Sequence, residues 1–120
     1  MPYVDGFLLA VPASNREAYR DLAAKVAPVF RKHGALKVVE CWGDDVPDGK
    51  VTSFPMAVKK KDDEVVVFSW IVWPSKEVRD AGNKAFMQDP IMQNMESEGH
   101  QPPFDGKRMI FGGFEVILEA

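Results

Sequence analysis

The nine residues from Val65 to Trp73, VVVFSWIVW, restrict the fold more than any other part of the chain. Valines, isoleucine and aromatics fill the run, and Pro74-Ser75 closes it, which predicts a β-strand. Side chains alternate between the two faces of a strand. One parity carries Val66, Phe68, Trp70 and Val72; the other carries Val65, Val67, Ser69, Ile71 and Trp73. Both faces are apolar, so both need cover. Tyr3 to Val11 reads as a strand of the same kind, with Phe7, Leu9 and Val11 set against Val4, Leu8 and Ala10. Met109 to Leu118 repeats it, with Phe111 and Ile117 against Ile110, Phe114, Val116 and Leu118.

Between these strands the apolar period lengthens to that of a helix. Ser14-Asn15-Arg16-Glu17 has the form of a capping box. Tyr19, Leu22, Ala23, Val26, Val29 and Phe30 then follow at helical spacing, and Gly34 supplies the stop. Pro28 lies inside the pattern and predicts a kink or break. Leu36 to Trp42 is a second strand. The connection from Asp44 to Glu64 is long enough to hold structure of its own, a helical turn capped by Ser53 with Pro55 in its first turn. Ser75 caps a second long helix reaching about Met87, with Val78, Ala81, Ala85 and Phe86 inward. Asp89-Pro90 opens a short helix bearing Ile91, Met92 and Met95. A loop from Ser97 to Lys107 leads to the last strand.

The order β-α-β-β-α-β predicts an α+β, ferredoxin-like domain spanning residues 1–120, a four-stranded antiparallel sheet with its helices on one face. A bare apolar face on the other side would exceed the roughly 300–600 Å² that is the largest patch on a typical monomer. The same face of a second copy is the economical cover, so the chain is expected to form a homodimer through the helix-free sheet face, as a dimeric α/β barrel.

Composition narrows the function classes. With 120 residues, 46% of them apolar and 28% charged, the chain has the makings of one core and no signature of disorder. The net charge of −3 argues against nucleic acid as a partner, and the single basic run, Lys59-Lys60-Lys61, is cancelled by Asp62-Asp63-Glu64. One cysteine, Cys41, allows no internal disulfide. The apolar start MPYVDGFLLAV lacks the basic region of a signal peptide, and no run is long enough to span a bilayer. Together these predict a cytoplasmic location and no membrane partner.

Three long segments carry a resemblance: VVECWGDDVPDGKVTSFPMAVK (Val38 to Lys59), VVFSWIVWPSKEVRDAGN (Val66 to Asn83) and FDGKRMIFGGFEVI (Phe104 to Ile117). In them, and over most of its length from about Tyr3 to Leu118, the chain resembles the YbaA-like family of bacterial proteins, a domain of unknown function. The resemblance implies a dimeric α/β barrel related to the antibiotic-biosynthesis monooxygenases. It implies no activity, no cofactor and no catalytic residues. Some members carry a label linking them to signal recognition particle RNA, for which the acidic balance here gives no physical support.

Candidate chemistry has to come from single residues. Glu40 shares its strand parity with Val38 and Trp42, and a carboxylate among apolar neighbours has a raised pKa and suits a general base. The alternative, an edge position or a pairing with Lys37 or Arg108, is the commoner arrangement. Asp5 and Glu115 are two further acids on predicted strands. His100, in Gly99-His100-Gln101-Pro102-Pro103-Phe104, would be a proton carrier if its loop closes over a cleft; an ordinary exposed loop histidine is the alternative. His33, near a helix end, reads as structural. Trp42, Trp70 and Phe68 would stack on a small aromatic or apolar ligand, with Arg108 nearby, although core or interface packing accounts for them as well. The methionines fit gap filling better than metal binding, and one cysteine with two distant histidines gives no zinc spacing. Two readings follow: a cleft between sheet and helices carrying cofactor-free oxygenase- or isomerase-like chemistry, or a non-catalytic ligand-binding or interaction module.

Overall fold

A computed structural model describes residues 2–97, 99 and 101–120. Its strands are β1 (Tyr3–Pro12), β2 (Lys37–Trp42), β3 (Glu64–Trp73) and β4 (Ile110–Glu115). They form one antiparallel sheet in the order β2-β3-β1-β4, so the two strands with the longest apolar runs take the centre. The helices are α1 (Arg16–Lys32), α2 (Phe54–Ala57), α3 (Lys76–Gln88) and α4 (Pro90–Ser97). The fold is the α+β, ferredoxin-like one expected from the order of elements.

The helix starts follow their caps, with one exception. Ser53 accepts from the Met56 N–H, Ser75 from Val78 and Asp89 from Ile91, each satisfying a donor that the first turn leaves free. The capping box at Ser14 does not form. A 3-10 turn occupies Ala13–Asn15, α1 begins at Arg16, and the Asn15 side chain donates instead to the Pro103 carbonyl at 2.9 Å. Nor does Pro28 end α1, which runs on to Lys32; Gly34, at φ 112°, turns the chain back toward β2.

Register assigns the faces. Tyr3, Asp5, Phe7, Leu9 and Val11 oppose Trp73, Ile71, Ser69, Val67 and Val65, and this face meets α1 and α3. Its core has two parts. Leu9, Val11 and Val67 pack with Tyr19 of α1, while Ile71, Trp73 and Ala35 pack with Phe30 and Val78. On α3 it is Gly82, not the expected Ala81, that turns inward. Ala81 is exposed, and a Cβ at position 82 would collide with the Trp73 indole and the His33 carbonyl.

The other face is not wholly bare. The 44–63 connection lays α2 over one end, and Val58 is buried there against Ala10 and Val66. This corrects the expectation of a wholly bare face there, covered by a second copy alone. The rest is open: Phe68, Ile110 and Phe114 remain 43%, 43% and 62% exposed, around a hollow of about 710 Å³ floored by Gly6 and Gly112. The last strand is also shorter than expected. It stops at Glu115, leaving Ile117 and Leu118 outside the sheet and exposed.

Candidate functional site

The inward stripe of α1 is bulky at its ends and small in its middle. Tyr19 and Phe30 reach the sheet, but Ala23, Val26 and Ala27 do not fill the space between them, and a cavity of about 140 Å³ remains. Phe7, Leu9, Val38 and Ile71 form its sheet side, and Phe104 and Met109 close it from the loop before β4. Two polar side chains stand on the sheet wall, Glu40 of β2 and Ser69 of β3, directly opposed in register.

Glu40 makes no ion pair with Lys37 or Arg108. The Tyr19 hydroxyl donates to its Oε1 at 2.7 Å. The edge position expected as the alternative does hold: β2 is an edge strand and Glu40 is exposed on it; even so, protein atoms crowd the carboxyl, and desolvation raises its pKa above the ordinary 4.5. Hydrogen bonds from Tyr19 and Ser69 favour the ionised form and oppose that rise. Burial, then the bond to Glu40, pushes the Tyr19 phenol far above its usual value, so it stays protonated and can donate to Glu40. A carboxylate has about four lone-pair positions, so Glu40 keeps acceptor capacity for a guest in the cavity.

The other proposed site residues lie apart. Trp42 is on the helix side, with the Arg16 guanidinium 5.5 Å from its ring centre. Phe68 and Trp70 face the opposite side, packed on each other 5.5 Å apart. A single ligand therefore does not reach all three. Arg108 is committed to a buried ion pair: Nη1 donates to Glu64 Oε1 at 2.7 Å and Nη2 to Oε2 at 2.6 Å, while Nε binds Asp105. That pair holds Glu64 down at about 2. Asp5 does not join Glu40 either. It is buried beneath α3, accepting from Trp73 Nε1 at 2.9 Å and from Arg79 Nε and Nη2 at 3.0 and 2.8 Å. Glu115 is exposed at the end of β4. His33 binds Asp89 at 2.8 Å, in keeping with a structural role. His100 lies outside the described residues.

Sequence reasoning passed over Tyr19 and Ser69, counting Tyr19 as an apolar helix position and Ser69 as one member of a strand parity. The available signal was that the helix stripe containing Tyr19 faces the strand parity containing Glu40.

The chain matches the family described as a protein of unknown function, DUF1428, over residues 2–106. It is 61% identical over 119 residues to "Uncharacterized protein YbaA" of Escherichia coli strain K12, with 99% of each chain covered. Among solved structures it is similar to a dimeric ferredoxin-like protein from an uncultured marine organism (TM-score 0.62, 17% identity, 100% of both chains). A second is SnoaB, a cofactor-independent oxygenase from Streptomyces nogalater (TM-score 0.58, 13% identity, 98% of this chain and 95% of that one).

Proposed function

The chain belongs to the DUF1428 family, a kinship that brings no activity with it, and from its own geometry we propose that the cleft between α1 and the sheet binds a weakly acidic apolar molecule whose proton Glu40 removes. One observation carries this reading: among the described residues, Glu40 is the one carboxylate on a mostly apolar cavity wall, its pKa is raised, and its partner is a neutral phenol. A base poised nearer neutrality is more effective than an ordinary carboxylate. Proton abstraction from a phenol O–H, or from carbon beside a carbonyl, is the step shared by cofactor-independent oxygenation and isomerisation. SnoaB's description as a cofactor-independent oxygenase on the same fold is consistent with it, at the level of fold alone. A cavity of roughly 150 Å³ takes a benzene ring, so a single ring fits here.

The test is deuterium exchange at the α-carbon of cyclohexanone in D2O, followed by NMR. Exchange above the buffer rate is expected, lost by about 10²–10⁴-fold in Glu40→Gln and declining as acid protonates Glu40. A wild-type rate equal to buffer sinks the catalytic reading. The smallness of the cleft favours one alternative, a non-catalytic binding module, which predicts ligand-induced thermal stabilisation without exchange.

The open sheet face is proposed to pair with the same face of a second copy. Exposed Phe68, Ile110 and Phe114 support this, as does the dimeric state stated for the marine ferredoxin-like protein. Sedimentation of a monomer at micromolar concentration would remove it.

A further inference from the structure

A third hollow, of about 490 Å³, lies on the outer flank of α1. Leu22 of α1, Met87 at the end of α3, and Met92 and Met95 of α4 line it, with Pro102 and Pro103 opposite. It adjoins the Glu40 cleft along two shared walls. On α1, Ala18, Leu22 and Lys25 face the groove, while their immediate neighbours Tyr19, Ala23 and Val26 face the cleft. In the loop, Pro103 belongs to the groove and Phe104 to the cleft. Phe104 packs edge-on against Tyr19, ring centres 5.8 Å apart, and the Asn15 amide holds the Pro103 carbonyl.

Size gives this adjacency its meaning. Ligand sites commonly occupy 300–1,000 Å³. The cleft alone is smaller than that, and the groove lies within the range. The cleft has the chemistry, with a carboxylate and a phenol. The groove has apolar area and three methionines, whose unbranched side chains adapt to guests of varied shape.

Resting on the proposed role of Glu40, we infer that the ligand is bipartite: an acidic ring seated beside Glu40, and an apolar chain that passes the Pro103–Phe104 boundary and lies in the groove between α1 and α4. Phe104, whose ring packs on Tyr19 at this boundary, is then the side chain that swings aside to let the chain through.

The experiment compares phenol with 4-hexylphenol by isothermal titration calorimetry, on the wild type and on Met92→Glu and Leu22→Asn. Wild type is expected to bind 4-hexylphenol at least ~10-fold more tightly than phenol, since several methylenes leave water. Each groove substitution removes most of that gain and leaves phenol affinity within about twofold. Two substitutions on different helices guard against one of them failing to fold, which a thermal melt detects. If phenol binds and the hexyl chain adds nothing, the bipartite reading is wrong and the cleft reading stands. If the chain's gain persists in both variants, the chain lies elsewhere and the inference is again wrong. If neither compound binds, the cleft reading fails and takes this one with it.

Discussion

Glu64 and Glu40 are both glutamates of the same sheet, and exposed surface area alone ranks them the wrong way round. Glu64 is 5% exposed, yet its pKa is held down to about 2. Glu40 keeps exposed area at the sheet edge, yet its pKa is raised. Two things differ, the partner and the crowding of protein atoms around the carboxyl, which is heavier at Glu40. Arg108 offers Glu64 two parallel charge-assisted bonds, which outweigh desolvation. Tyr19 offers Glu40 one neutral donor, which does not. Of the two, the carboxylate with less exposed area is held by a cation; the other has none among the described residues, and it is the one proposed as a base.

The largest test breaks the Glu64 pair. Arg108→Met leaves a buried carboxylate with only the Lys61 N–H, and the melting temperature at pH 7 should fall by about 10 °C or more. The sign with pH follows from the lowered pKa. Glu64 contributes stability above its ordinary 4.5, and that contribution is lost as pH falls toward about 2. The gap between variant and wild type should therefore narrow in melts at pH 3.

Arg79→Ala strips Asp5 of its guanidinium but leaves the Trp73 donor in place. A smaller loss, about 2 kcal/mol by urea denaturation, is expected. A loss as large as that from Arg108→Met would mean that Trp73 gives Asp5 no relief.

Glu40→Gln should act in the opposite direction. A raised carboxylate pKa means that stability is fullest below the unfolded value and declines as pH rises through the folded one. Removing the charge is expected to stabilise the protein slightly at pH 7, by less than about 1 kcal/mol at this solvent-facing edge, and not at pH 4. Destabilisation at pH 7 would show that the ionised form has a partner beyond Tyr19 and Ser69.

Tyr19→Phe should be the mildest, costing about 0.5 kcal/mol. Because the phenol favours the ionised carboxylate, its loss should move the Glu40 titration midpoint, followed by carbon-13 NMR, further upward.

The backbone was largely readable because its signals are local. The run from Val65 to Trp73, the Ser53 and Ser75 caps and the Asp89-Pro90 junction each work over a few residues. Where a long-range contact competes, local reading fails. Asn15 is drawn to Pro103 and the Ser14 box does not form; Gly82 is drawn to Trp73 and Ala81 turns outward. The site was half readable. Glu40 stood out as an acid in an apolar strand, but the phenol that partners it lies 21 residues away on another element. The pairing of Arg108 with Glu64, 44 residues apart, left no local mark at all.

By itself, then, the sequence determined the succession of elements and the double-sided oiliness of the sheet, because periodicity and capping are properties of neighbouring residues. Tertiary structure decided which charges meet, that a phenol faces Glu40, and where small side chains leave a cavity. Those depend on strand register and helix placement, which are settled by packing across the whole domain.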